Sequence, residues 1–285
     1  MKLLEKSLPA IANLDYPYYE VIVVDGGSSD GSQDYIRHNF PSFELIELPK
    51  NRGVAGNMNA AIPCAKGEYV CFLDNDFIVR TDYIKKVVKC FRENPDVGIV
   101  GVHIKENGVI YSSGFFGKHA EIAMKRHVGE ALYVSGVCMG FRANALREAE
   151  GFDSNIRMGS DDIDIAIRLR HLGWRTIAIP DVLGFHMRSR TLRRFRARRS
   201  YYVLGARLYM FFKDFSWTTA FKLVTKHTLL QAKTVIVSIR KGDVYEALYV
   251  LAAYLSLVSK VKTIIEERRK IKRTLPDSFF LKFRA

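Results

Sequence analysis

Twice in the first eighty residues a short apolar run stops on an aspartate. Glu20–Val24 enters Asp25-Gly26-Gly27-Ser28-Ser29-Asp30-Gly31, and Tyr69–Leu73 enters Asp74-Asn75-Asp76. Each polar loop precedes a segment of helical character. A buried strand feeding a loop and then a helix is the βα unit of a parallel sheet. Repetition of that unit predicts an α/β fold whose ligands lie beyond the carboxyl ends of the strands. Both aspartate-rich loops fall at such ends.

The rest of the body keeps this alternation. Residues 3–14 read as a helix with Leu4, Leu8 and Ile11 near one face. Phe43–Leu48 reads as a strand, and the Gly- and Asn-rich segment Asn51–Ala61 leads into a helix. Thr81–Asn94 reads as a helix stopped by Pro95, and Val97–Val102 as a strand. Residues 103–135 are mixed, with short strands and loops. Ser160–Leu172 reads as a helix closed by Gly173, followed by a strand over Thr176–Ile179.

Charge divides the chain. Residues 1–186 hold 21 basic and 24 acidic side chains, whereas residues 187–285 hold 23 basic and 6 acidic ones. The reading is an α/β body over 1–187 and a basic helical region over 188–285. The basic region carries no nucleic-acid-binding motif, so nucleic acid is not the expected partner. Cys64, Cys71, Cys90 and Cys138 show no CxxC spacing, which argues against a zinc site or a disulfide scaffold and for reduced thiols. No signal peptide opens the chain. No uninterrupted apolar stretch reaches the roughly 18–20 residues of a spanning helix. Lys222, Lys226 and Lys233 break residues 220–239, and Glu246 breaks Val244–Ser259.

Four groups of residues have chemical potential. In Asp74-Asn75-Asp76, two hard carboxylates at i and i+2 suit Mg²⁺ or Mn²⁺, although Asp and Asn also simply end strands in turns. Asp25–Gly31 reads as a phosphate loop or a tight turn; neither GxGxxG nor a P-loop is present. Asp161, Asp162 and Asp164 open a helix, where acids are favoured by the dipole, and where a general base would be kept ionised. His186 closes the sheet region, as a structural residue or a ligand.

The order of these pieces along the chain resembles the family 2 glycosyltransferases, which have the GT-A fold. The resemblance covers residues 3–187. Its pieces are Tyr16-Pro17 with Glu20–Asp25 and Gly27–Ser32; Asn51-Arg52-Gly53 with Asn57 and Asn59; Phe72–Asp76; Ser135-Gly136 with Phe141-Arg142; and Gly151-Phe152-Asp153 followed by Asp161-Asp162-Ile163-Asp164 and Arg168. Gly173, Pro180 and His186 complete it. The resemblance implies a mostly parallel sheet flanked by helices, and transfer of a sugar from a nucleoside diphosphate to an acceptor hydroxyl with Mn²⁺ or Mg²⁺. It implies that Asp25 contacts the base, with Gly27, Ser28, Asn51, Gly53 and Asn57 in the nucleotide-sugar site. Asp74 would approach the ribose or sugar, and Asp76 and His186 the metal. Asp162, beside Asp161, would be the general base, and Arg188 and Arg190 would neutralise the diphosphate. Two departures are expected to matter. The chain begins where the helix after the family's usual first strand would start, and Gly26 stands where Asp or Asn is common.

The chemistry agrees with the resemblance. A diphosphate leaving group calls for positive charge, an alcohol nucleophile calls for a carboxylate base, and inversion needs no covalent intermediate. The basic region is expected to lie on an anionic membrane surface or to pack on the body. Membrane contact would suit a lipid-linked or polysaccharide acceptor at the inner face of the cell membrane. An inactive scaffold of the same fold and a nucleotidyltransferase are the competing readings.

Overall fold

The computed structural model describes residues 1–187 and 196–283. The first βα unit is β1 (Ile22–Asp25) and α2 (Ser32–Asn39), preceded by α1 (Leu4–Ala12). β1 pairs in parallel with β2 (Glu44–Glu47), and these two form a sheet of their own. α3 (Gly53–Ala61) then leads to β3 (Tyr69–Leu73), which opens the larger sheet.

That larger sheet has the order β3-β11-β5-β12-β4. β4 is Phe77–Val79, β5 is Val97–Glu106, β11 is Cys138–Arg142 and β12 is Arg175–His186. β5 and β12 are parallel, and β11 runs antiparallel to both β3 and β5. β5 is central and buried from Val97 to Ile104, which explains its unbroken apolar run. It continues past Val102 to Glu106, and α4 (Tyr83–Glu93) packs beside it on the apolar face formed by Val87 and Phe91.

β12 also outruns its sequence signal. The strand passes through Pro180 and ends at His186, pairing there with Phe77 of β4. Its register against β5 is irregular between Ala178 and Val182, around the proline that has no N–H for the ladder. The stretch over 103–135 resolves into β6 (Val109–Tyr111), β7 (Ser113–Phe116), β8 (Ile122–Lys125), β9 (Gly129–Glu130) and β10 (Tyr133–Val134). β10, β7 and β8 form a separate antiparallel sheet. β11 and the short helix α5 (Ala143–Glu148) fill a region where periodicity assigned nothing.

Between β1 and β3 lies a cavity of ≈ 370 Å³, lined by Ile22 and Val24 on one side and Cys71 and Leu73 on the other. Leu8 of α1 and Asn57 of α3 also face it.

After α6 (Asp161–His171) and β12, the described residues form the helices α7 (Arg196–Asp214), α8 (Trp217–Arg240), α9 (Val244–Lys270) and α10 (Asp277–Leu281). Met210 and Phe211 of α7, Phe215 just after it, and Phe280 of α10 share one core with Phe116, Leu132, Ile163 and Ile167 of the body. α7 also buries Leu204 and Leu208 against Val250 and Ala253 of α9. Glu246 does not break α9. Its amide is capped by Asp243, and its carboxylate accepts the Ser200 hydroxyl at 2.7 Å. α9 is therefore the one helix among the described residues long and apolar enough, by length and composition, to cross a membrane.

Candidate active site

The turn after β3 is fixed by its backbone. The amide of Asp74 donates to Val137 O at 2.9 Å, that of Phe77 to Asp74 O at 3.0 Å, and that of Met187 to Asp76 O at 2.8 Å. The last bond ties the turn to the end of β12 and so brings His186 to Asp76. One ligand atom each from Asp74, Asp76 and His186 lies within 4.8 Å of the others. His186 Nε2 is 3.2 Å from Asp76 Oδ1, and its Nδ1 is 2.6 Å from Glu106 Oε2. Tyr111 donates its hydroxyl to the same Glu106 oxygen at 2.8 Å.

The electrostatics show a concentration of negative charge. Burial raises the Asp74 carboxyl to about 7, and the charges of Asp76 and Asp161 add to the shift. Burial favours neutral His186, but its hydrogen bonds to Asp76 and Glu106 outweigh this and raise its pKa. Two carboxylates and an imidazole at this spacing fit one divalent cation, and an imidazole donor suits Mn²⁺ better than Mg²⁺.

The acids of α6 divide. The charge of Asp161 reaches Asp74, and Asp162 faces the turn at Gly136. Asp162 Oδ2 accepts the Gly136 amide at 3.2 Å and its Oδ1 the Ile163 amide at 3.0 Å. Burial pushes both carboxyls well above the usual range, and the Asp161 charge raises Asp162 further. Asp164 instead points inward. It is fully buried, takes Arg168 Nε at 2.9 Å and pairs with Lys213. Asp153 is likewise structural, accepting the Tyr209 hydroxyl at 2.8 Å.

The β1 loop is organised by its own aspartate. Asp25 Oδ2 accepts the amides of Gly27 at 3.0 Å and Ser28 at 2.8 Å, and Gln33 Nε2 at 2.7 Å. Burial raises its pKa, but these hydrogen bonds prevail and lower it. Asn51 Oδ1 accepts the Gly53 amide at 2.7 Å, and Asn57 Oδ1 that of Arg52 at 3.1 Å. A Cβ on Gly26 would lie 3.1 Å from Asn57 Nδ2, so a bulkier residue would crowd the asparagines. Gly53 has φ +86°, and a Cβ there would meet Arg157 O at 2.6 Å.

Asn57 and Asp74 line the same cavity between β1 and β3. Asp25, Gly27, Ser28, Asn51 and Gly53 lie outside its lining, Gly53 at the start of α3. A larger cavity of ≈ 760 Å³ is elsewhere, lined by Asp153, Arg168 and Lys213, away from the Asp74–Asp76 turn. Arg188 and Arg190 lie outside the described residues. Sequence reasoning missed Glu106 and Tyr111, because it ended β5 at Val102.

Residues 2–149 match the family described as "Glycosyl transferase family 2". The poly-beta-1,6-N-acetyl-D-glucosamine synthase of Staphylococcus epidermidis is 28% identical over 201 residues, covering 63% of this chain and 48% of its own length. The chain thus spans about half the length of the curated relatives it matches. Among solved structures, the mannosyltransferase PcManGT of Pyrobaculum calidifontis, in complex with GDP-Man and Mn²⁺, has a TM-score of 0.57 at 22% identity, covering 89% of this chain and 82% of its own. S. aureus TarS 1-349 in complex with UDP-GlcNAc has a TM-score of 0.60 at 16% identity, covering 80% and 68%. These neighbours show that the fold is GT-A.

Proposed function

Because the chain belongs to glycosyl transferase family 2, we propose that it transfers a sugar from a nucleoside diphosphate to an acceptor hydroxyl with inversion. The observation that carries this reading is the cluster of Asp74, Asp76 and His186 at the ends of β3 and β12, with the charge of Asp161 within reach of Asp74. Asp76, His186 and Asp74 would hold a divalent cation, Mn²⁺ before Mg²⁺. Such an ion supplies positive charge to the leaving diphosphate. Asp162 takes the proton of the acceptor hydroxyl, aimed by the Gly136 amide and set by burial to a pKa suited to proton transfer. Asp161 shares the charge of that first turn. Asp25, Gly27, Ser28, Asn51, Gly53 and Asn57 shape the nucleotide side.

The test is calorimetric titration with UDP-GlcNAc, GDP-mannose and a dTDP-sugar, with and without Mn²⁺, beside Asp76→Ala. Metal-dependent binding of one donor, weakened tenfold or more in the variant, is expected. Equal binding by the variant would overturn the metal assignment, and no donor binding by the folded protein would overturn the donor site.

The acceptor on this reading is a glycan or lipid-linked glycan, and the protein works peripherally on the inner face of the cell membrane. Phe221 and Leu229 of α8 and Leu248, Leu255 and Val258 of α9 are each more than half exposed. Lys222, Lys226, Lys233 and Lys262 are exposed on the same two helices. An apolar surface edged by lysines suits anionic headgroups over acyl chains. Sedimentation with anionic vesicles at low salt, abolished by Leu255→Glu/Val258→Glu, is the expected result. Sedimentation unchanged by those substitutions would sink it.

A further inference from the structure

Lys213, near the end of α7, is a cation with almost no contact with solvent. Its Nζ lies 2.9 Å from Asp153 Oδ2, pairs with Asp164, and lies 3.5 Å from Asp214 Oδ1. Arg168 closes the cluster from α6. Its Nε holds Asp164, and its terminal nitrogens donate to Ala149 O and Gly151 O at 2.5 and 2.7 Å. One lysine of the basic region thus grips both structural acids of the body, Asp153 on the Gly151-Phe152-Asp153 turn and Asp164 on α6.

α7 meets the entrance to α6 a second time. Gly159 and Ser160 approach the helix in left-handed backbone, with φ of +75° and +65°. A Cβ on Gly159 would lie 3.2 Å from Val203 Cγ2. The two contacts, Val203 at Gly159 and Lys213 at Asp164, bracket Asp161 and Asp162.

We infer that Lys213 is a positioning residue for the transfer reaction: by anchoring Asp164 and Asp153 to α7, it sets the first turn of α6 against the Asp74–Asp76 turn. The inference rests on the proposed role of Asp162 as base. An apolar side chain at 213 would fill the space but fix no direction. An ion cluster has few acceptable geometries, so it specifies the rotation of α6 about its axis as well as its closeness to α7. Burial would neutralise Lys213, but the charges of Asp164 and Asp214 outweigh it and keep the ammonium.

The experiment compares the full chain with Lys213→Met and Lys213→Arg. Two quantities are read: amide hydrogen exchange over residues 159–164, and nucleoside diphosphate release from UDP-GlcNAc or GDP-mannose with Mn²⁺. In Lys213→Met, exchange over 159–164 is expected to rise tenfold or more, while β5 stays protected. Its kcat is expected to fall tenfold or more with donor KM within twofold, and Lys213→Arg is expected to recover most of both. Unchanged exchange over 159–164 in folded Lys213→Met overturns the inference, as does an equal loss in every peptide. If the parent chain releases no diphosphate, the functional reading fails, and the exchange result alone still decides whether Lys213 sets α6. Should Lys213→Met not fold, Lys213→Met/Asp164→Asn removes one charge of each sign and carries the same comparison. Recovery of kcat in that pair would also overturn the inference, because the anchor is absent from it.

Discussion

Asn59 and Phe152 are joined by a reciprocal pair of hydrogen bonds. Asn59 Nδ2 donates to Phe152 O at 2.7 Å, and the Phe152 amide donates back to Asn59 Oδ1 at 2.8 Å. The side chain acts as a one-residue strand, stitching α3 to the turn before α6 across 93 positions of sequence. Asn59→Leu keeps the branching and the number of side-chain heavy atoms and leaves both backbone groups of Phe152 without their partner. A loss of about 2 kcal/mol is expected. Urea unfolding checks it, and a change under 0.5 kcal/mol would mean that water replaces the amide at no cost.

The division of α6 acids predicts different phenotypes for neighbouring positions. Asp162→Asn removes the proposed proton acceptor but keeps the size, so transfer should fall roughly 10²–10⁴-fold, with donor affinity within twofold. Asp164→Asn keeps the proposed metal ligands and base but weakens the Lys213 anchor, so it should cost stability as well as rate, whereas Asp162→Asn should cost rate alone. Steady-state kinetics paired with thermal unfolding separates the two. A near-normal rate for Asp162→Asn would remove it from the proton transfer.

His171, at the end of α6, predicts an acid sensitivity. Its Nδ1 accepts the amides of Thr274 at 3.1 Å and Leu275 at 3.3 Å, so it must be unprotonated there. Burial, aided by Arg273, lowers its pKa to about 4 from 6.5. The unfolded chain therefore binds the proton more readily than the folded one. The contribution is complete above pH 6.5 and is lost as pH falls toward 4. His171→Asn offers an acceptor that does not titrate. Urea midpoints at pH 7.5 and 5.0 should fall less for this variant than for the parent, and identical falls would refute the assignment.

Gly114 of β7 lies against the phenol ring of Tyr133, its cross-strand partner in β10, leaving no room for a Cβ. Gly114→Ala should cost about 1–3 kcal/mol by forcing the ring aside. Denaturant unfolding measures it, and a neutral result would show that the small sheet yields freely.

Much of this was legible from residue order. Tyr69–Leu73 is both apolar and bounded by polar residues, so β3 could be placed to the residue. His186 could be proposed with Asp76 only through family order, since 110 positions separate them and the register of β12 passes an irregularity at Pro180. Glu106 was invisible, because a Lys-Glu pair after an apolar strand looks like the strand's solvated end. The fates of Asp161, Asp162 and Asp164 were also closed to sequence. All three are compatible with a helix N-terminus, and only the helix packed alongside decides which one turns inward. For the same reason Lys213 read as one more charge of a basic region, although it is buried among three carboxylates.

The separation of β1 and β2 from the larger sheet has a kinetic meaning. Among the described residues these strands share backbone pairing only with each other, so the loop from Asp25 to Asp30 rides on a ribbon of four residue pairs. A two-stranded ribbon is marginal by itself, and units with few ladder bonds open far more often than the global unfolding free energy implies. On the proposed reading, the two sides of the donor site would therefore open on different clocks: the Asp74–His186 cluster with the larger sheet, the Asp25 loop with its ribbon alone. A donor touching both would couple those rhythms, and the cost of quieting the ribbon would come out of its own affinity.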